Sequence, residues 1–328
     1  MNGFVVPMTR VPASGVQHLL AAGDYTAVVA SVGASLRSLT FKGRDLVVPF
    51  AADEVRPAYR GVTLVPWPNR VVDGRYDFAG LTHTLSLTEP ERGHALHGLG
   101  VWLAFDRLSG GADEVTLGAT IEPQAGYPWR LAIETTYRLS PDGLTQSVRA
   151  CNLSEEPAPY GAGWHPYLVA GAGPLDEWTL HLEASDVLHV SADRLVPTGL
   201  HAVDSDGAER FDFRVPRRIG PVQIDHAFTG LARGADGMAT VSLTAADGAG
   251  VAMSWDRSCP WVQVFTADRP NGAADPSHRG GLAVEPLTCA PDAFNAVRYD
   301  HPTGLANLSP GGEATATWWI GAIDPSSR

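Results

Sequence analysis

Five short segments of the chain set ionisable side chains among Trp, Pro and Gly, where neither core packing nor a solvated face explains them. In PWPNRVVDGRYDFAG (residues 66–80), Arg70 follows two prolines and a tryptophan, so a stiffened backbone presents its planar five-donor fork. Such a fork suits several hydroxyl oxygens at once, and it equally suits a partner carboxylate. HALHG (94–98) sets His94 and His97 three apart. On a strand or loop that spacing does not bring both imidazoles to one side, and no third Cys, His or acid stands nearby to complete a metal site. His97 is the better pocket candidate, because the following Gly98 permits close approach of a ligand.

In GWHPYL (163–168), His165 lies between Trp164 and Pro166. That apolar setting shifts an imidazole's pKa and fixes its orientation, and a purely structural histidine shares it. IDHAF (224–228) has Asp225 and His226 adjacent. On a strand they point to opposite faces, and Asp225 is the one suited to accept two hydroxyl hydrogens. In LAVEPLTCAPDAFN (282–295), Leu282, Ala283, Val284 and Leu287 surround Glu285. An acid among apolar neighbours acquires the raised pKa of a general base working near neutrality, whereas a strand glutamate facing solvent does not. Two imidazoles, one candidate base, and one carboxylate and one guanidinium for hydroxyls together fit proton traffic on a neutral polyol.

The elements that must position these groups read as strands. Leu131, Ile133, Thr135, Tyr137 and Leu139 alternate with polar residues in LAIETTYRL, as do Val115, Leu117, Ala119 and Ile121 in EVTLGATIE. Trp178, Leu180, Leu182 and Ala184 alternate in WTLHLEA, and the runs 239–245, 251–255, 261–267 and 315–323 behave likewise. Asp73-Gly74, Pro141-Asp142-Gly143, Asp206-Gly207 and Asp247-Gly248 supply turns between them. No window carries a long amphipathic helix, and GVQHLLAAGDY holds at most a short helical turn. The chain is therefore expected to be all-β, a large antiparallel sandwich or barrel, with 1–328 as a single domain.

Composition narrows the chemistry. The chain has 328 residues, formal net charge −12, and 44% hydrophobic against 18% charged residues. That is a globular balance, with none of the dense basic face that a nucleic-acid partner requires. Lys42 is the only lysine, which weakens every Schiff-base mechanism, and no phosphate-loop motif exists. Cys151, Cys259 and Cys289 are odd in number and widely spaced, so neither a disulfide framework nor a Cys-x-x-Cys site is expected. No apolar run is long enough to span a membrane, and the opening residues lack the pattern of a secretory leader, so a cytoplasmic location is expected.

The order of the five segments, from about Gly61 to Asn295, resembles the aldose 1-epimerases, or mutarotases, in a bacterial branch. Asn69-Arg70 with Gly74-Arg75-Tyr76 and Phe78-x-Gly80 is similar to that family's NR…GRY.F.G stretch. Leu96-His97-Gly98 is similar to its LHG, Asp225-His226 to its late Asp-His pair, and Glu285 with Pro291-Asp292-Ala293-x-Asn295 to its terminal Glu and PDAxN. The resemblance implies an antiparallel β-sandwich isomerase that interconverts sugar anomers without metal or cofactor, as a monomer or homodimer. It implies Glu285 as catalytic base, His165 as catalytic acid and His97 assisting at the ring oxygen. Arg70, Asp225, Asn69 and Gln263 would then hold the sugar. Where galactose mutarotases usually have Asn-His-x-Tyr-Phe, this chain has Trp164-His165-Pro166-Tyr167-Leu168, keeping the histidine and changing its neighbours. Three other readings belong beside this one: a hexose-phosphate mutarotase drawing on Arg56, Arg60, Arg70 and Arg75, a non-catalytic carbohydrate-binding sandwich, and a glycosidase using Asp225 and Glu285 as its carboxylate pair.

Overall fold

Alternation with a period of two governs the fold in the computed structural model, which describes residues 10–205 and 207–325. Residues 1–9 of the opening segment and Asp206, with the turn expected there, lie outside the described residues. Leu131–Ser140 buries Leu131, Ile133, Thr135, Tyr137 and Leu139 and turns the intervening residues outward. It folds back on Gly143–Asn152 through Pro141-Asp142, with register from Ser140↔Gly143 to Leu131↔Asn152.

These strands belong to a nine-stranded sheet. Its spatial order is Asp106–Gly110, Glu114–Ile121, Leu131–Ser140, Gly143–Asn152, Glu313–Ile323, Gly250–Trp255, Ala239–Thr244, Thr179–Leu182, Arg217–Arg218. An eight-stranded sheet runs Pro197–Ala202, Ala184–Val190, Asp225–Leu231, Trp261–Phe265, Leu282–Leu287, Gly163–Trp164, Thr63–Leu64, with Tyr167–Leu168 also paired to Leu282–Leu287. The pairings between these strands are antiparallel, as the β-sandwich reading requires. Among the described residues no helix is long and apolar enough to cross a membrane.

Two local expectations are corrected. GVQHLLAAGDY holds no helical turn: Gln17–Ala22 and Tyr25–Ala30 form a hairpin closed at Ala22↔Tyr25, with Gly23 at φ +55°. A Gly-Asp step flanked by strands supplies that two-residue turn, and cross-strand pairing overrides the weak helical spacing of the leucines. WTLHLEA is likewise not one strand. The chain leaves the nine-stranded sheet after Leu182 and enters the eight-stranded sheet at Ala184, so one alternating run serves two layers.

The two sheets meet through a largely apolar core that contains a buried polar junction. Trp164, Val262, Val264 and Val284 from the eight-stranded sheet pack in one cluster with Leu131, Ile133, Tyr137 and Trp318 from the other. Trp164 stacks on Trp318 with ring centroids 6.2 Å apart. At the junction Gln146 Nε2 donates to Thr63 Oγ1 at 2.8 Å and Thr135 Oγ1 at 2.9 Å, while Gln146 Oε1 accepts from Trp318 Nε1 at 2.7 Å. A fully paired buried amide stabilises one alignment of the two layers, because any slip leaves its partners unsatisfied. Replacing Gln146 with Ala strands Thr63, Thr135 and Trp318 Nε1 in a dry core. We expect a loss of about 3 kcal/mol in urea unfolding, and a loss below the error of the fit would refute this account of the junction.

Candidate active site

The strand period brings three polar side chains to one face of the eight-stranded sheet. In Leu282–Leu287, Leu282 and Val284 point into the inter-sheet core, so Ala283, Glu285 and Leu287 face the other way. In Trp261–Phe265 the same rule sends Val262 and Val264 to the core and Gln263 outward. Register then places Gln263 directly opposite Glu285, and Asp225 opposite Phe265. Gln263 Nε2 donates to Asp225 Oδ1 at 2.6 Å, which fixes the carboxylate beside it. His226 points away and packs on Phe211 at 4.6 Å between ring centroids.

His165 arrives from the neighbouring edge. Trp164 is fully buried in the core, so the next side chain must emerge on the opposite face. Its backbone is pinned on both sides: His165 N donates to Val62 O at 3.2 Å, and Gly61 N donates to His165 O at 2.8 Å. The ring stacks on Tyr167 with centroids 5.2 Å apart and meets His97 edge-on at 5.1 Å. His165 Nε2 lies 3.3 Å from Glu285 Oε1.

The remaining groups come from one clamped loop. Arg70–Val72 pairs with His94–Leu96, and just beyond the pairing Asn69 and His97 both take left-handed backbone conformations, φ +54° and +64°. His97 N donates to Asn69 O at 2.8 Å, joining the two turns. Gly98 is required for a reason other than ligand access. A Cβ there would lie 2.2 Å from Val65 O, so this glycine admits the backbone of Val65 rather than a substrate. The Pro-Asp-Ala-x-Asn stretch secures the same loop: Asp292 N donates to Arg70 O, Asp292 Oδ1 accepts from Val72 N at 2.8 Å, and Asn295 Nδ2 donates to Arg75 O at 3.0 Å. His94 is structural. Its Nδ1 accepts from Asp73 N and its Nε2 sits 2.8 Å from Arg194 O, so the His94/His97 spacing makes no ligand pair.

All seven residues singled out in the sequence, Asn69, Arg70, His97, His165, Asp225, Gln263 and Glu285, line one cavity of about 630 Å³. That volume suits a small polar molecule. Burial dominates the electrostatics. Glu285 is 2% exposed, and burial, reinforced by the Asp225 charge and opposed by Arg70, pushes its carboxyl well above the usual range. Burial pushes the His165 imidazole down to about 3 and that of His97 well below its usual value. Burial thus disfavours the imidazolium expected as the acid and favours the protonated form of Glu285. His97 Nδ1, His165 Nδ1, Gln263 Oε1 and Glu285 Oε2 are buried with no hydrogen-bond partner in the protein. Four such atoms in one cavity are the mark of a site built for a hydrogen-bonding ligand, because each costs about 1–3 kcal/mol when left unpaired.

Sequence reasoning missed Glu89. It grips Arg70 in a bidentate pair, Nε to Oε2 at 2.7 Å and Nη2 to Oε1 at 2.9 Å, and also accepts from Arg92. Both readings of Arg70 therefore hold at once: it is paired to a carboxylate and lines the cavity. The Glu-Pro step at Glu89 did not mark it, because Glu122-Pro123 and Glu156-Pro157 carry the same step outside the cavity. Tyr59, packed on His97 at 4.6 Å, carried no signal. The arginines close in sequence to Arg70 do not join it. Arg56 donates to Ser35 Oγ and to the carbonyls of Val32 and Val101, Arg60 donates to Pro49 O, and Arg75 is exposed.

The same sandwich occurs in the GalM/aldose epimerase homologue from C. elegans, with TM-score 0.79 and 22% identity over 94% of this chain and 99% of that one. It occurs again in galactose 1-epimerase from Lactobacillus acidophilus NCFM, with TM-score 0.75 and 17% identity over 93% of each chain. The aldose 1-epimerase family model matches residues 17–316, so the chain belongs to the aldose 1-epimerase family, a family of carbohydrate epimerases. Escherichia coli K12 YihR, an uncharacterized protein, is 36% identical over 290 residues, 88% of this chain and 89% of its own.

The Arg70–Glu89 pair is nearly dry, with side chains 10% and 5% exposed. Removing one partner of such a pair leaves an uncompensated charge, whereas removing both does not. Glu89→Ala should cost about 3 kcal/mol of stability, and Glu89→Leu with Arg70→Met should cost less than either single change. A double-mutant cycle by chemical denaturation reads this directly; additive losses would show the pair to be uncoupled.

Proposed function

We propose that the protein interconverts the α and β anomers of a free aldose by opening and reclosing the sugar ring. The observation that carries this reading is the His165–Glu285 contact of 3.3 Å at the floor of a cavity lined by hydroxyl-binding groups. The anomeric and ring oxygens of a cyclic aldose share one carbon, so an acid and a base in contact with each other reach both. Ring opening takes the proton from the anomeric hydroxyl and gives one to the ring oxygen. The aldehyde turns about its C1–C2 bond and recloses on the other face, with the two transfers reversed.

Glu285 acts on the anomeric oxygen and His165 on the ring oxygen, with His97 beside it. During the cycle the pair passes its single proton between two states, carboxylate with imidazolium and carboxyl with imidazole. Burial favours the second in the free site, and the open-chain stage uses that same state. Asp225, held by Gln263, accepts sugar hydroxyls, and Arg70 donates from Nη1, since Nε and Nη2 are committed to Glu89. Asn69 completes the wall. The partner is thus a small neutral sugar, handled without a cofactor in the cytoplasm by a monomer or homodimer. Of the four arginines proposed for a phosphate, only Arg70 lines the cavity, but Arg92 and Arg269 line it too, so a panel of phosphorylated and free sugars separates the phosphate reading from this one.

General acid–base steps contribute roughly 10²–10⁴-fold each. Glu285→Gln removes the base while keeping shape and should slow anomer exchange by about that factor, read by polarimetry or NMR exchange on a panel of free hexoses and pentoses. Undiminished turnover rules out the assignment.

The pH profile follows from the two shifts. The pair is active with one proton; it gains a second only below the ordinary imidazole range, because His165 is pushed down to about 3, and loses its last only above the ordinary carboxylate range. With a chelator present to keep solution metals off the imidazoles, kcat/KM should show no acid limb at pH 6.5, where a free imidazole titrates. An acid limb centred there would contradict the protonation scheme.

A further inference from the structure

We infer that His97, His165 and Glu285 also form a reversible site for a borderline-soft divalent cation of the Zn²⁺, Co²⁺ or Ni²⁺ class, which excludes the sugar while bound. One ligand atom from each of these three buried residues lies within 4.8 Å of the other two. His165 Nε2 and Glu285 Oε1, 3.3 Å apart, already have the separation of two ligands on a tetrahedral ion with bonds of about 2 Å. The His97 ligand atom, within 4.8 Å of the other two, must close to the same spacing to complete the set. Two imidazoles with one carboxylate is a donor set that zinc uses with a fourth position left open. Here the fourth position faces the cavity.

The donor chemistry selects the ion. Two nitrogens and one or two carboxylate oxygens favour zinc-like ions over Mg²⁺ or Ca²⁺, which take six or more oxygens. Affinity is limited by what lies behind the ligands. His165 Nδ1 has no carboxylate or carbonyl to hold it, the support that permanent metal sites provide. Binding is therefore reversible, on the order of micromolar, and serves as inhibition rather than as a resident cofactor. The same lone pairs carry protons and hold the ion, so occupancy and anomer exchange exclude each other; this second half rests on the function proposed above.

The binding half is tested without activity. Co²⁺ titrated into the chelator-washed protein should bind one per chain, with the intense visible absorption of tetrahedral cobalt, and Zn²⁺ should displace it. His97→Asn tolerates the left-handed backbone and Glu285→Gln keeps shape; each should weaken binding at least tenfold with an unchanged melting temperature. His201→Ala is the control, because His201 and His189 stack at 4.2 Å and offer a second imidazole pair. Absence of the band, or binding lost in His201→Ala and kept in His97→Asn, overturns the site. Zn²⁺ should then suppress anomer exchange competitively, with recovery on adding EDTA. If cobalt binds as described but the metal-free protein exchanges no sugar, the proposed function fails and the metal site stands.

Discussion

Burying a carboxyl beside a neutral imidazole, with an oxygen and a nitrogen left unpaired, costs free energy that the rest of the sandwich must supply. At 3.3 Å the two groups face each other, and Glu285 Oε2 and His165 Nδ1 have no hydrogen-bond partner in the protein. The low-dielectric surroundings that make the arrangement expensive also bring the two protonation states close enough for a ligand to tip the balance. The fold bears this cost by making the site's backbone rigid. Trp164 stacks against Trp318 across the core, Gln146 locks the two sheets in one alignment, and Gly61 and Val62 hold the His165 peptide from both sides.

The opposite wall uses a different device. Asn69 and His97 sit in left-handed conformations that an ordinary side chain adopts at a cost, and they are held there by a shared hydrogen bond, by Gly98 against Val65, and by Asp292 beneath Arg70. Glu89 then occupies two of the guanidinium's donors. Arg70 is thereby fixed in direction rather than merely present, and a fixed donor loses less entropy when a ligand arrives. The site is thus preorganised from two directions: by sheet register on one side and by a clamped loop on the other.

Membership of the aldose 1-epimerase family accounts for the sandwich and for the order of the five segments. The setting of His165 follows from its two neighbours. Trp164 is committed to the inter-sheet core and Tyr167 to a stack on the imidazole, so neither neighbour is free to hydrogen-bond the ring. His165 Nδ1 has no hydrogen-bond partner in the protein, and burial, with the nearby Arg56 and Arg269 charges, lowers the imidazole's pKa.

Read by itself, the sequence determined the strands and their two faces, because alternation is a local property of the extended backbone. From it follow the all-β class, the inward-facing residues of Leu131–Ser140, and the opposite facing of Asp225 and His226. Its motifs and their order also marked seven of the residues that line the cavity, though not Glu89 or Tyr59. Tertiary structure alone decided who meets whom. The pairing of Gln263 with Glu285, the arrival of His165 beside that carboxyl, the capture of Arg70 by Glu89, and the passage of WTLHLEA from one sheet to the other depend on contacts between distant segments. No spacing encodes those contacts; register is chosen by the packing of two whole sheets, and that choice exists only once the chain has closed on itself.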